Sequence, residues 1–348
     1  MDRGPQSFAS RLIDPALFGI DNDYFPHIDV ILGTRESRYF GSGFQRVRYC
    51  AKVDAAAREP LLADGSLCVR YPPDWSVKAP QSRMSPHLST VDAVYLGTTL
   101  SEWALHHAFV TRQCHPAPLL THCEVKSGAA PDENLDALPF TIRSLGTTPN
   151  KDRGSPYALN TALQLRIGVM QLVVEIAHSG GLKSERAAQQ ADPLASAGPQ
   201  AGAGRLAVTG THHIDLQHVL LDRAGVRASA EVLFGPPAPG YRLLSYVEFV
   251  LASAQLAQAI IYRTDRIQRV HSNTLWMRDF RIVAAAHCKV CEPQLIELRT
   301  LNHKRQCIGG DLWSVYRFLC RLGPLGATFT FAHKLNGVHA APATTERS

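Results

Sequence analysis

Two acidic residues hold matched places in the sequence and could act as general bases. Asp92 is the fourth residue of the segment that begins at Ser89, and Glu248 is the fourth residue of the segment that begins at Ser245. A carboxylate in a first helical turn is stabilised by the helix N-terminus, and a desolvated carboxylate can take a proton from a hydroxyl group. Ordinary first-turn helix chemistry is the simpler interpretation of both. Glu248 is the better candidate base because its segment is otherwise almost entirely apolar.

Histidines and a third acid lie close to the same two segments. His87 precedes the first segment and could serve as an acid–base group, although a histidine in a loop is more often simply solvated. Glu102 is a further candidate for catalysis, but it stands one helical turn from His106 and could instead form a local pair. His271 follows the second segment, where it would cap carbonyl groups or bind substrate.

Two arginines are candidates for binding an anionic carrier or a phosphate group. Arg143 and Arg299 alternate with apolar neighbours, so each points to the opposite face of its strand. An arginine that is merely exposed on a sheet is the simpler interpretation.

Motifs for metals and cofactors are weak. Cys288-Lys-Val-Cys291 is a single CxxC pair without a second, which argues against a structural zinc site. The chain has no GxGxxG fingerprint, no GxxxxGK loop and no GxSxG elbow. We therefore expect neither a bound metal nor an organic cofactor.

Composition and charge narrow the class of protein. The chain has 348 residues, 45% of them hydrophobic, which favours two folded units. Its formal charge of +6 comes from scattered residues, so we expect anionic ligands and no nucleic acid. The eight cysteines are widely spaced, and no run of about 18 apolar residues occurs. These features predict a cytoplasmic protein with reduced cysteines and no membrane span.

An internal duplication is the strongest pattern in the sequence. Residues 89–94 match residues 245–250, and the offset of 156 residues also relates Arg143 to Arg299. After one deletion, His178 and His333 match at an offset of 155. The same order of matches in both copies indicates two halves with one fold.

Each half begins with a long helix that runs into strands. The apolar patterns predict helices over Ser89–Val110 and Leu243–Tyr262. β-Branched and aromatic residues in the following segments favour an antiparallel sheet, because parallel strands would need further crossover helices. The predicted fold class is α+β, a tandem (double) hotdog in which each half has a long central helix wrapped by an antiparallel sheet. The predicted strands are 119–125, 140–145, 162–177, 275–284, 295–301, 312–322 and 327–332.

The domain boundaries follow from composition. We expect an N-terminal extension over 1–34, a first hotdog-like half over 35–179 and a second over 207–336. Residues 180–206 are rich in Gly, Ala, Gln and Pro, which predicts a flexible linker. Residues 337–348 are predicted to be a disordered tail.

The segment Arg38-Tyr-Phe-Gly-Ser-Gly-Phe-Gln-Arg-Val-Arg-Tyr49 resembles the avirulence D (AvrD) family of plant-associated bacteria. The resemblance extends over most of residues 35–335. It implies a role in making syringolides, acyl glycosides formed from a β-ketoacyl thioester and a pentulose. More distantly, the second predicted helix is similar to the central helix of A-factor-biosynthesis hotdog proteins, which carries a Glu and a Gln. The second predicted helix here also carries a Glu and a Gln, Glu248 and Gln255, but at a wider spacing, so the spacing does not establish that they are equivalent residues.

The function expected from this resemblance is condensation of a β-ketoacyl thioester with a hydroxyl of a small sugar or sugar phosphate, giving an acyl glycoside or lactone. The partners would be an acyl-carrier protein or acyl-CoA together with a small sugar substrate, and the chain could form a homo-oligomer. Two alternatives stay open, since one fold supports several reactions. One is a hotdog thioesterase or dehydratase, and the other is a non-catalytic acyl-binding module.

Overall fold

Two helices of 19 residues each organise the fold. The computed structural model describes residues 22–55, 61–76, 85–108, 117–151, 154–179, 213–235, 242–272, 275–290 and 293–335. Helix α2 spans Thr90–Ala108, and helix α3 spans Tyr246–Thr264. Nearly every residue of α3 is buried, as its apolar sequence predicts. The two predicted helices are confirmed, but α3 begins three residues late because Ser245 caps it.

The remaining elements are short helices and strands. Helix α1 spans Asp29–Leu32, and single 3-10 turns cover Arg35–Ser37, Gly43–Arg46 and Arg269–His271. The strands of the first half are β2 (Arg48–Ala55), β3 (Leu61–Arg70), β4 (Leu119–Lys126), β5 (Leu138–Pro149), β6 (Leu159–Ile167) and β7 (Met170–His178). The others are β1 (Asn22–His27), β8 (Ile214–Asp222), β9 (Arg227–Phe234), β10 (Arg242–Leu243), β11 (Leu275–Ala284), β12 (Lys289–Val290), β13 (Gln294–Ile308), β14 (Asp311–Leu322) and β15 (Leu325–Lys334).

The strand order repeats about the centre of one large sheet. Thirteen strands form this sheet, in the order β1-β8-β9-β13-β14-β15-β11-β4-β7-β6-β5-β3-β2, and each pairing in it is antiparallel. Read outward from the central β4–β11 pair, the order is β4-β7-β6-β5-β3-β2 on one side and β11-β15-β14-β13-β9-β8 on the other. The α+β class with an antiparallel sheet is thereby confirmed.

Two tight turns match between the halves at the level of single residues. Gly168 joins β6 to β7, Gly323 joins β14 to β15, and both have a φ of 54°. That left-handed conformation is unfavourable for residues with a Cβ atom, so both turns favour glycine. The glycines are 155 residues apart, the offset that also relates His178 to His333.

Both helices pack against each other and against one face of the sheet. Strand residues alternate accordingly: along β7, Leu172, Val174 and Ile176 are buried, whereas Gln171 and Glu175 are exposed. One continuous apolar cluster therefore includes side chains of both halves.

The ends and the linker fall partly outside the described residues. Part of the predicted extension is folded, since β1 pairs with β8 at the edge of the sheet and α1 follows it. Residues 180–206 and 337–348, predicted as linker and tail, lie outside the described residues. No helix in the described part of the chain is both long and apolar enough to cross a membrane.

Candidate functional site

Two related clefts each form where the first turn of one long helix meets the side of the other helix. The first cleft lies at the N-terminus of α2 and includes Gln258 from α3. The second cleft lies at the N-terminus of α3 and includes Glu102 from α2. Residues 156 apart in sequence thus stand in corresponding places.

Two neighbouring pockets at the N-terminus of α2 differ in most of their lining, and we call them the apolar lobe and the basic lobe of the first cleft. Phe40, His87, Ser89 and Leu275 border both lobes. The apolar lobe, of about 70 Å³, is otherwise lined mainly by apolar side chains, with one acid and one arginine among them. The basic lobe, of about 80 Å³, contains two arginines. Side chains that define the apolar lobe are Leu88, Val91, Met170, Trp276 and Met277. Those that define the basic lobe are Arg38, Arg269, Tyr39, Trp75, Gln258 and Tyr262.

His87 stands between the two lobes. Its half-buried ring packs edge-on against Trp75, with 5.8 Å between the ring centroids. Nδ1 lies 3.2 Å from the carbonyl oxygen of Ser85. A proton on Nδ1 that is donated to this oxygen leaves Nε2 as the basic nitrogen of the ring. The predicted acid–base residue of the loop is therefore placed beside a cleft.

Asp92 is buried and anchors the start of α2. Its carboxylate accepts hydrogen bonds from Tyr39 at 2.8 Å and from Tyr49 at 2.5 Å. Tyr71 also donates to it, as does the backbone N–H of Ser89 at 2.9 Å. Burial, and secondarily the charge of Asp92, raise the pKa of the three tyrosines. The carboxylate is thus occupied by structural hydrogen bonds, and its role as a base stays a prediction.

Glu248 is likewise buried and belongs to a capping box. The Ser245 backbone N–H donates to Glu248 Oε2 at 3.1 Å, and the Glu248 N–H donates to Ser245 Oγ at 3.2 Å. This reciprocal pair satisfies two amide groups of the first turn of α3. The second cleft is lined by Ser245, Tyr246 and Val247, next to this buried carboxylate. The predicted catalytic role of Glu248 stays a prediction.

Glu102 does line the second cleft, whose volume is about 310 Å³. Its side chain is solvent-exposed, yet the concave protein surface around it desolvates the carboxyl group and raises its pKa. It faces the same cleft as the first turn of α3, whose leading amide groups have no carbonyl partner within the helix. At the two corresponding helix positions, the second cleft has this acid where the first cleft has the amide of Gln258.

The other predicted binding residues take different positions. Gln255 is buried, and its Oε1 accepts a hydrogen bond of 2.8 Å from Arg38. His271 is exposed in the 3-10 turn beside Arg269. Arg143 and Arg299 are exposed on the sheet face opposite the helices, as their alternation predicts. Their roles in substrate binding stay predictions.

Sequence reasoning missed both arginines of the basic lobe and Gln258. Arg38, Tyr39 and Tyr49 lie within the segment that carries the family resemblance, but nothing in that segment shows that it meets α3. Gln258 could have been found, because the repeat offset relates it to Glu102. Within the described residues, no group of three or more His, Cys, Asp or Glu side chains is arranged to hold a metal ion.

Comparisons with solved structures give weak similarities. A tesB protein from Mycobacterium avium subs paratuberculosis aligns at a TM-score of 0.39 and 8% identity, covering 81% of this chain and 96% of that chain. A 12:0-ACP thioesterase from Umbellularia californica aligns at 0.39 and 9%, covering 74% and 92%. A conserved protein of unknown function with a hot dog fold from Alicyclobacillus acidocaldarius aligns at 0.38 and 12%, covering 82% and 97%. TM-scores this low do not establish a common fold.

Comparison with protein families is decisive. No curated protein matches the sequence. The family described as Pseudomonas avirulence D protein (AvrD) matches residues 23–336. Since that match spans most of the chain and includes both halves and both clefts, the chain belongs to the AvrD family.

Proposed function

We propose that this protein is an enzyme that transfers a β-ketoacyl group from a thioester to a hydroxyl group of a small sugar or sugar phosphate, and that it does so in the first cleft. Acyl-carrier protein or coenzyme A would carry the thioester. Membership of the AvrD family supports this reaction class. The observation that carries the proposal is the position of His87, which borders an apolar lobe on one side and a basic lobe on the other.

We also interpret the fold as a tandem hotdog. Each half supplies one long helix and six strands, and the order of those strands is the same outward from the β4–β11 pair. This arrangement places the first turn of each helix against the other half. In that position, both halves contribute to each cleft.

The proposed chemistry uses groups that the first cleft already presents. The acyl chain would occupy the apolar lobe, with its carbonyl oxygen near the amides of Thr90 and Val91. These amides belong to the first turn of α2, where helices leave N–H groups unpaired, so they can stabilise an oxyanion. His87 Nε2 would take the proton of the sugar hydroxyl as its oxygen attacks the thioester carbon. The C–S bond then breaks, and the thiolate leaves with the proton from His87.

The test is turnover of a β-ketoacyl-carrier protein in the presence of a ketose, followed by mass spectrometry of the products. We expect an acylated sugar from the wild-type protein and a loss of ~10²-fold or more in the His87→Gln variant. His122→Gln is the matched control, because His122 lies on β4 beside Glu175, outside both cleft linings. An unchanged rate in His87→Gln would exclude His87 as the base. An acyl chain that binds but never reacts would favour the non-catalytic module.

A thioesterase activity is the second candidate, and the second cleft favours it. Glu102 there has a raised pKa and faces the first turn of α3, so it could activate water against a bound thioester. In the absence of sugar, hydrolysis that persists in His87→Gln and disappears in Glu102→Gln would assign hydrolysis to the second cleft.

A further inference from the structure

We infer that the basic lobe of the first cleft is a binding site for a phosphate group, so that the acceptor is a sugar phosphate rather than a neutral sugar. The inference rests on the proposed function for the identity of the acceptor. The phosphate site itself rests on Arg38 and Arg269.

Arg38 is a buried cation held in one orientation. It is only 2% exposed, and its guanidinium donates to Gln255 Oε1 at 2.8 Å, to Asp29 and to the carbonyl oxygen of Thr34 at 3.4 Å. Burial lowers the pKa of Arg38 to about 10, with Asp29 opposing that change. The ion pair with Asp29 and these hydrogen bonds offset the cost of burying the cation, and Arg38 also lines the cavity of the basic lobe.

Arg269 places a second guanidinium in the same lobe. It donates to the carbonyl oxygen of Ser37 at 2.9 Å, so both arginines are tied to the chain around the 3-10 turn Arg35–Ser37. Burial lowers the pKa of both arginines, and the positive charge of Arg269 lowers the pKa of Arg38 further. A bound anion would relieve this repulsion between like charges. The planar fork of a guanidinium group matches phosphate oxygens in particular.

The other polar groups of the lobe are suited to the rest of such a ligand. Tyr262 accepts a hydrogen bond of 3.2 Å from Ser272, which leaves its own hydroxyl proton available to a ligand oxygen. Gln258 adds an amide that can donate or accept. His87 borders the lobe, so a sugar hydroxyl beside a bound phosphate would lie toward the proposed base.

The second cleft provides an internal contrast. The position that corresponds to Gln258 there is Glu102, a carboxylate that would repel an anion. Among the described residues that line this cleft there is no arginine or lysine. Among the described residues, the basic lobe therefore presents two guanidinium groups where the second cleft presents a carboxylate, so the basic lobe is the better suited of the two to phosphate.

The experiment is isothermal titration calorimetry with inorganic phosphate, ribulose 5-phosphate and ribulose, on the full chain. We expect the two phosphates to bind and ribulose to bind far more weakly. Arg269→Gln should weaken phosphate binding by about tenfold or more, as loss of a charged hydrogen bond implies. Arg317→Gln is the matched control, because Arg317 is exposed on β14. Circular dichroism of each variant checks that it is folded.

Several outcomes would overturn the inference. One is equal affinity for ribulose and ribulose 5-phosphate, and another is phosphate binding that survives Arg269→Gln but is lost in Arg299→Gln. The results that would contradict the proposed function are different ones. Acyl transfer to ribulose without phosphate binding would remove the phosphate site and leave the function standing. Phosphate binding that depends on Arg269, without any acyl transfer, would support the phosphate site and contradict the proposed function.

Discussion

Glu102 of α2 and Gln258 of α3 occupy corresponding positions, 156 residues apart, on the walls of the two clefts. Each faces the first turn of the other long helix. One copy of the position therefore carries an acid and the other an amide, while Arg38 and Arg269 lie only beside the amide. The two clefts are formed by matching parts of the two helices but differ in the charged groups near this position, which is why we expect distinct roles of them.

The raised pKa of Glu102 predicts how its removal affects stability. The pKa of this carboxyl group is higher in the folded than in the unfolded state. The free energy of unfolding therefore falls as the pH rises from the unfolded-state pKa to the folded-state pKa. Glu102→Gln should therefore raise the thermal unfolding midpoint near pH ~8, and the gain should vanish near pH ~4, where the wild-type carboxyl is protonated. Thermal unfolding at the two pH values measures this.

Glu124→Gln is the matched comparison for Glu102→Gln. Hydrogen bonding to Lys126 lowers the pKa of Glu124. The ionised Glu124 carboxylate therefore stabilises the folded state, and this contribution is lost as the pH falls. A gain of stability in Glu124→Gln, or none in Glu102→Gln, at the higher pH would contradict the assigned environments.

The two first-turn acids should differ in their structural importance. Asp92→Asn puts an amide among three tyrosine hydroxyls and a backbone N–H, so at least one of these donors loses its acceptor. We expect a loss of about 1–3 kcal/mol in the free energy of unfolding. Glu248→Gln should cost less, because the amide oxygen can still accept from the Ser245 N–H. Urea denaturation of both variants compares them, and the reverse order would show that Asp92 does not anchor α2.

Part of this fold could be predicted from the sequence because its signals are local. The apolar character of residues 246–264 follows from helical spacing, and the repeat offset relates Gly168 to Gly323 without any structure. The ends of the helices were harder to predict. Leu243 fits the apolar pattern of α3 but lies in a short strand paired with Lys289, and Ser245 begins the helix.

The site was harder to predict because its contacts join distant parts of the chain. Arg38 meets Gln255 across 217 residues, and Tyr39 meets Asp92 across 53. Apolar neighbours in sequence suggested that Glu248 is desolvated, and it is buried. They could not show that its carboxylate is engaged with Ser245. Nor could they show that Glu102, with less apolar neighbours, faces a cleft.

A buried aspartate at the end of α3 should control acid stability. Asp265 accepts hydrogen bonds from Ser314 at 2.9 Å, Tyr316 at 2.8 Å and His333 at 2.8 Å. Burial opposes ionisation of Asp265, but these bonds prevail and lower its pKa. Its stabilising contribution is therefore present above the usual carboxyl pKa and lost as the pH falls through the lowered value.

Asp265→Ala should cost about 3–5 kcal/mol at neutral pH, since it leaves buried partners unpaired. The difference from the wild-type protein should shrink in acid. Asp311→Asn is the control: its ion pair with Lys334 is partly exposed and should contribute less than about 1 kcal/mol. Denaturant unfolding across the acid range measures both, and a constant difference at all pH values would contradict the role given to the Asp265 charge.

The two turn glycines should respond differently to a methyl group, although their backbones are alike. Both have a φ of 54°, so alanine at either position costs about 1–2 kcal/mol through its left-handed conformation. At Gly168 the new Cβ would also clash with Asp132 Oδ2, which accepts a hydrogen bond of 2.7 Å from the Val169 N–H. The carboxylate must move away, and the Val169 bond is lost.

At Gly323 the corresponding contact is the Cys288 sulfur at 3.4 Å, an ordinary van der Waals distance. Gly168→Ala should therefore lower the free energy of unfolding more than Gly323→Ala does. Gly326→Ala is the control, because a Cβ there meets no atom within 4 Å. Chemical denaturation of the three variants gives the order directly. If Gly323→Ala were the most damaging, side-chain crowding at the turn would not be what distinguishes the two halves, and the difference would have to arise in the strands that each turn joins.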